Sequence, residues 1–227
     1  MYQTSVSVVV PAYNEQGAIG ATLSEITSVM NDLRVPYEVI VVDDGSIDQT
    51  GQIASTHKVT LLSNERNRGK GYSLRRGFAQ CQGDIVITID SDGAHSPKEI
   101  PDLIYPLYNG ADIVSGSRFL GEGKNFTSKL NRIGNILFNL TIMIVTGKRI
   151  TDSQTGFRAY KKQVLQELNL RSIGYEIDAE LIVKGLRNGF AIHEKSIFCQ
   201  RRVGGTSKLR ILSDGVKIFR AILKASI

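Results

Sequence analysis

Residues Asp84 to Glu99 read "DIVITIDSDGAHSPKE". Asp84–Ile89 is a short apolar run rich in β-branched residues, the composition of a strand buried on both faces. It ends on Asp90-Ser91-Asp92. Ser96-Pro97-Lys98-Glu99 then has the pattern of a helix start, with serine at the N-cap, proline at N1 and glutamate completing a capping box. A strand, an acidic turn and a helix in that order predict an α/β chain with the turn at the carboxyl end of a parallel strand. Two carboxylates one residue apart repel unless something positive sits between them. The turn is therefore read either as a divalent cation site or as an Asx turn capping the next segment.

The rest of the first half repeats the unit. Val6–Val10, Tyr37–Val42, Val59–Leu62 and Asp112–Ser117 read as strands, and Glu15–Asn31 and Gly71–Gln80 as helices. Short apolar strands alternating with helices predict a mostly parallel sheet covered by helices. Ligands on such sheets bind at the carboxyl ends of the strands. That rule gathers Pro11–Glu15, Asp43–Ser46, Asp90–Asp92 and Arg118 on one rim, and three of these four segments carry carboxylates. The second half is less regular. Helices are expected near 128–145, over Gly174–Gly189 and near 211–225, with Phe190–Arg202 as an edge strand. In the last helix Leu212, Val216, Phe219 and Leu223 share a face, and Arg210, Lys217, Arg220 and Lys224 lie on others.

A length of 227 residues with 41% hydrophobic and 22% charged content fits one large domain over 1–227, or a domain with a substantial extension. The net charge of +6 conceals an asymmetry: residues 1–117 hold 8 Lys+Arg against 14 Asp+Glu, and residues 118–227 hold 20 against 8. An anionic partner is expected on the second half. Cys81 and Cys199 form neither a disulfide framework nor a zinc pattern, and the chain starts directly in a strand without a basic n-region, so a cytoplasmic setting is expected. The apolar run Ile136–Val145 is about half the length of a membrane span and is interrupted by Asn139 and Thr141. No G-x-G-x-x-G follows the first strand, no Walker A motif is present, and His57, His95 and His193 lack metal-ligand spacing. No nucleic-acid-binding motif is present, and no nucleic-acid partner is expected.

"VVVPAYNE", "VVDDGSIDQT", "NRGKGYSLRRGF", "DIVITIDSDGAHSP" and "IVSGSRF" stand in the order and spacing of family 2 glycosyltransferases, which the chain resembles over nearly its whole length. "DSQTGFRAY", "GYEIDAEL" and "RRVGGTSKL" are similar to the polyprenyl-phosphate branch, typified by dolichyl-phosphate mannose synthase. The resemblance implies a GT-A (Rossmann-like) mostly parallel sheet flanked by helices. Residues 1–117 would bind the nucleotide sugar, and the basic residues 118–227 would bind the acceptor, with interfacial helices near 128–145 and 211–225. It places the donor on Pro11, Ala12, Tyr13, Glu15, Asp44, Lys70, Asp90 and Ser91, and a divalent cation (Mg²⁺ or Mn²⁺) on Asp90 and Asp92. The mannose synthases add a glutamine contact two residues on, where this chain has Ala94.

It further places the acceptor phosphate on Arg118, Arg132, Arg202, Ser207 and Lys208, and the sugar and acceptor pocket on Gln154, Glu176 and Asp178. Asp92, Arg118 and Asp152 would carry the reaction, with Asp152 orienting the acceptor. The implied reaction is inverting transfer of a hexose from GDP-mannose, UDP-glucose or UDP-GlcNAc to a polyprenyl (dolichyl or undecaprenyl) phosphate. It would take place on the cytoplasmic face of a membrane, to which the protein is peripheral, with room for a membrane-protein partner. A soluble phosphorylated or glycan acceptor is the alternative.

Overall fold

Val6–Ala12 (β1) is buried along its whole length, as a strand is when a sheet is covered on both faces. In the computed structural model, which describes residues 4–121, 129–203 and 211–226, β1 runs parallel between Tyr37–Asp43 (β2) and Ile85–Thr88 (β4). Thr60–Ser63 (β3) lies outside β2. Beyond β4 come Arg158–Lys161 (β6), Ile113–Ser117 (β5) and Ile192–Ser196 (β7), giving the order β3-β2-β1-β4-β6-β5-β7. Every pairing is parallel except those of β6, which is antiparallel to β4 and β5. The mostly parallel sheet expected from the sequence is present, and strands from both halves of the chain build it.

Helices Ile19–Leu33 (α1) and Ile100–Tyr108 (α4) cover one face with Ile19, Leu23, Ile26, Met30, Leu103 and Leu107. On the other face Lys70–Phe78 (α3), Lys162–Glu167 (α6) and Ile177–Arg187 (α7) contribute Leu74, Val164, Ile177 and Leu181. Lys129–Thr146 (α5) and Ile211–Ala225 (α8) pack on α7 through Ile142, Ile182, Val183, Ile218 and Ile222. Thr50–Ser55 (α2) completes the set.

Several boundaries differ from the sequence reading for local reasons. α1 begins at Ile19, because Glu15–Ala18 form a turn in which Glu15 O accepts from Ala18 N and Ile19 N. Ser96 accepts from Lys98 N and opens a 3₁₀ turn over Pro97–Glu99. The capping box does not form, since Glu99 Oε1 accepts from Phe198 N at 2.8 Å instead. The edge strand ends at Ser196 rather than Arg202. β6 was not anticipated as a strand. It is only four residues long and shows no in-out alternation, and both sheet neighbours are distant in sequence.

α3 lies close on the sheet at Gly77, where a Cβ would stand 2.5 Å from Val9 Cγ1 and 3.3 Å from Val42 Cγ2. Gly77→Val is expected to destabilise the fold by about 2 kcal/mol through overpacking, seen as a lower urea midpoint at unchanged slope. An unchanged midpoint would show that α3 does not sit on β1 and β2 in this way.

Candidate active site

The carboxyl ends of β1, β2 and β4 deliver Pro11–Tyr13, Asp43–Asp44 and Asp90–Asp92 to one rim. Antiparallel β6 extends that rim. Its first residue, Arg158, pairs with Thr88 near the end of β4, so the loop before it, Asp152–Phe157, lands among the same strand ends. Ser91 Oγ donates to Pro11 O at 2.9 Å and ties the β4 turn to β1.

Two cavities open here. The larger, about 780 Å³, is lined by residues including Pro11, Ala12, Tyr13, Glu15, Asp44, Lys70, Asp90, Ser91, Asp92 and Arg202. The second, about 350 Å³, is lined by Arg118, Gln154, Asp178, His95 and Cys199, together with Leu130, Gly134, Phe138, Gly215 and Ile218 of α5 and α8. Lys70, Asp90, Asp92, Tyr175 and Arg202 line both.

Two positive side chains lie against the two aspartates. Lys70 Nζ stands 3.0 Å from Asp90 Oδ1 and 2.9 Å from Asp178 Oδ2. Arg202 Nη2 lies 2.7 Å from Asp92 Oδ2, and its Nη1 lies 3.6 Å from Glu15 Oε1. Burial opposes ionisation of Asp90, but its positive neighbours, Lys70 foremost, together hold the carboxyl below its ordinary range. Burial likewise opposes charge on Lys70, and Asp178 and Asp90 together raise its pKa well above the ordinary lysine value. Asp92 Oδ1 also accepts from Ala94 N at 2.9 Å, so the Asx turn offered by the sequence is present as well.

Asp44 has a structural duty. Its carboxylate accepts from Asn64 Nδ2 at 2.6 Å, Arg68 N at 2.9 Å and Gly69 N at 2.8 Å, which fixes the loop before α3. Gly69 and Gly71 permit a close approach, but the chain segment that fills it is Ser172–Gly174. Gly69 also has φ +100°, a conformation that favours glycine.

Arg118 is held by Asp152 through Nε at 2.7 Å and Nη2 at 2.9 Å, a fork-to-carboxylate geometry. Asn135 Nδ2 donates to the same carboxylate at 2.8 Å. Gln154 lies in the wall of the second cavity. Glu176 lines neither cavity, and its Oε1 accepts from Gly174 N at 3.0 Å. Arg132 is exposed, 5.9 Å from the Phe119 ring, and lines neither cavity. Ser207 and Lys208 lie outside the described residues.

The sequence reading passed over Gly156, Arg158, Tyr175 and Asn135. A Cβ on Gly156 would stand 2.5 Å from Asp90 Oδ2 and 2.6 Å from Lys70 Nζ, so only glycine leaves room for that ion pair. Arg158, fully buried, donates to Ser115 Oγ, Asp178 O and Ser153 O at 3.1, 2.8 and 2.8 Å. Asn135 and Asn139 were legible in principle: with Asn131 they form a row of asparagines at four-residue spacing along one side of α5, which marks a polar contact. Asn139 Nδ2 donates to Thr151 O at 2.7 Å.

The mostly parallel seven-stranded sheet with its flanking helices matches the GT-A type of fold seen in solved glycosyltransferases. The chain belongs to glycosyl transferase family 2, whose profile matches residues 7–168. It is 34% identical over 201 residues to an uncharacterized protein of Methanocaldococcus jannaschii, covering 85% of this chain and 80% of that one. It is 34% identical over 188 residues to the dolichol-phosphate mannosyltransferase of Pyrococcus furiosus, covering 79% of this chain and 53% of the relative. It is 32% identical over 220 residues to an undecaprenyl-phosphate 4-deoxy-4-formamido-L-arabinose transferase of Pseudomonas fluorescens, covering 92% and 62%. The chain therefore spans less than two thirds of the length of these two named transferases. Glucosyl-3-phosphoglycerate synthase from Mycobacterium tuberculosis, in complex with UDP, shares the fold at TM-score 0.77 and 23% identity, over 98% of this chain and 80% of that one.

Burial raises the pKa of Asp152, but Arg118 outweighs it and holds the carboxyl below its ordinary range. A depressed folded pKa contributes stability above the unfolded value of about 4, and that contribution is lost as pH falls through the folded value. Asp152→Asn should therefore cost about 3 kcal/mol at neutral pH by leaving Arg118 without its counter-charge. In urea unfolding the gap from the parent should narrow at about pH 3. A gap that widens on acidification would show that the pair is not ionic.

Proposed function

We propose that this chain is an inverting, metal-dependent glycosyltransferase that moves a hexose from a nucleotide sugar to a polyprenyl phosphate. The observation that carries the reading is the pair of adjoining cavities that share Lys70, Asp90, Asp92, Tyr175 and Arg202. One is lined by Glu15, Asp44, Lys70 and the Asp90–Asp92 turn, with room for a nucleotide sugar. The other combines Arg118 with an apolar wall from α5 and α8, which suits a phosphate on a hydrocarbon chain. The names of the Pyrococcus and Pseudomonas relatives, both polyprenyl-phosphate sugar transferases, support the acceptor class.

The residues fit a divalent cation. Around the acidic turn, Glu15, Asp90, Asp92 and Asp178 are offset by Lys70, Arg202 and Arg158, so four carboxylates face three cations. Mg²⁺ and Mn²⁺ are commonly held by one or two carboxylates completed by substrate phosphates and water. Asp90 and Asp92 would hold the cation, with the donor diphosphate in place of further protein ligands. Bound there, it supplies Lewis-acid stabilisation of the departing nucleoside diphosphate. Structures of the M. tuberculosis synthase with Mn²⁺ and UDP support a cation in this fold.

Asp152 fixes the plane of the Arg118 guanidinium on the acceptor cavity, ready to grip a phosphate. With its second pKa near 6, about that of any phosphomonoester, the acceptor phosphate is a nucleophile at neutral pH without a general base. Its oxygen attacks the anomeric carbon as the bond to the diphosphate breaks, which inverts that centre.

Membrane attachment is proposed through α5 and α8. Among the described residues no helix is long and apolar enough to cross a membrane. Yet Leu130, Ile133, Ile136, Leu137, Leu140 and Ile144 of α5 are exposed, as are Val216, Phe219 and Leu223 of α8. An apolar face of that extent suits an interface with lipid.

The test is transfer assayed with Mn²⁺ against GDP-mannose, UDP-glucose and UDP-GlcNAc, each offered with undecaprenyl or dolichyl phosphate. One donor should give a lipid-linked product, and Asp92→Ala should reduce the rate by about a hundredfold or more. Transfer only to soluble phosphorylated acceptors would replace the lipid reading. Ile133→Glu combined with Ile144→Glu should release the protein from anionic vesicles in a flotation assay, while transfer to detergent-solubilised acceptor persists. Retention on the vesicles would remove α5 from the interface.

A further inference from the structure

Arg202 is brought to the acidic turn by main-chain pairing. His95 and Cys199 form an antiparallel bridge. Gln200 N donates to Ala94 O at 2.9 Å, and Val203 N to Asp92 O at 3.0 Å. Gln200 Nε2 adds a bond to Gly93 O at 2.9 Å. Segment 199–203 is thus zipped onto the very turn that carries the two aspartates. The guanidinium then lies against Asp92 Oδ2 at 2.7 Å. Asp92 Oδ1 is taken by Ala94 N, so a cation approaching Oδ2 meets Arg202 there.

The two internal cations of the site differ in freedom. The Lys70 side chain is 11% exposed, lies between Asp90 and Asp178, and has Gly156 behind it. The Arg202 side chain is 33% exposed, while its partners Asp92 and Glu15 are 6% and 8% exposed. The carboxylates are fixed and the arginine is the member that can leave. It lines both cavities, so the second cavity lies beside the guanidinium while the backbone stays zipped to the turn.

We propose that Arg202 and the divalent cation exchange on Asp92: the arriving cation takes Oδ2, and the guanidinium swings into the second cavity. Filling the donor side thereby delivers a phosphate-binding fork to the acceptor side. The inference rests on the reading of Asp90 and Asp92 as the cation subsite and adds its regulation. The exchange also keeps the charge of the cluster in balance. Two positive charges arrive beside the carboxylates as one moves away, and the diphosphate that accompanies the metal is itself an anion. Arginine suits the second role because its planar fork matches phosphate bidentately.

The test is binding of Mn²⁺ alone, followed by the electron paramagnetic resonance signal of the free ion. Arg202→Gln should bind Mn²⁺ about five- to tenfold more tightly than the parent, the scale set by loss of one charge-assisted contact of this exposure. Arg202→Lys keeps a charge but not the fork, and should fall between the two. Asp92→Asn should lose the site in every background. Should the parent bind Mn²⁺ through Asp92 while both Arg202 variants bind it equally or more weakly, the exchange is overturned and the cation subsite stands. Absence of Mn²⁺ binding in all forms, with nucleoside diphosphate present as well as without it, would overturn the subsite and the exchange together.

Discussion

A buried ammonium between two carboxylates is the interaction on which the rest of the site depends. Lys70 stands within 3.0 Å of Asp90 and 2.9 Å of Asp178. Taking three charges out of water costs several kcal/mol for each ion unless the geometry repays it, so the groups hold one another in place. Each comes from a different part of the chain: α3, the turn after β4, and the first turn of α7. The loop before β6 closes over the pair at Gly156, where no side chain fits. Ser172–Gly174 cross the start of α3 at Gly69 and Gly71, and Tyr72 N donates to Ile173 O at 3.0 Å. Gly69 and Gly71 serve the approach of backbone to backbone, and Gly156 the approach of backbone to the ion pair itself.

The antiparallel strand β6 is what lets this happen. A parallel strand in that position would place the loop before it at the opposite end of the sheet. Because β6 runs the other way, Asp152–Phe157 arrive at the rim where β1, β2 and β4 end. Arg158 then secures the arrangement from beneath, bonded to β5 through Ser115, to the loop through Ser153 and to α7 through Asp178 O. An unpaired arginine would be intolerable at 0% exposure, so its three acceptors and the nearby Asp178 carboxylate are bound to the same geometry. Arg118 is fixed in the same manner by Asp152, and Asp152 by Asn135 of α5. Preorganised charge of this kind stabilises a developing anion without reorganisation during the reaction.

Outside that rigid centre the molecule is built differently. α8 carries two apolar stripes. Ile218 and Ile222 are buried against α5 and α7, while Val216, Phe219 and Leu223 remain exposed. Of the residues that sequence periodicity selects as the apolar face of this helix, Val216, Phe219 and Leu223 belong to the outward stripe. Periodicity records where apolar residues recur on a helix, and packing decides which of two recurrences meets a neighbour.

The sequence by itself determined the parallel α/β class, the strands β1, β2, β4 and β5 to within a residue or two, and the acidic rim at their carboxyl ends. Those features are local, because a continuous β-branched run, a turn of aspartates and a helix start each carry their own physical signal. It also offered both readings of the Asp90–Asp92 turn, and Ala94 N on Asp92 shows the Asx turn directly. Only the tertiary structure decided which positive groups meet those aspartates. Lys70 and Arg202, and the Asp178 carboxylate that shares Lys70, come from distant segments, and β6 reverses the sheet between them. Long-range pairing of charges leaves no period in a sequence. It follows from how strands order themselves in a sheet and from the cost of leaving a buried charge without a partner.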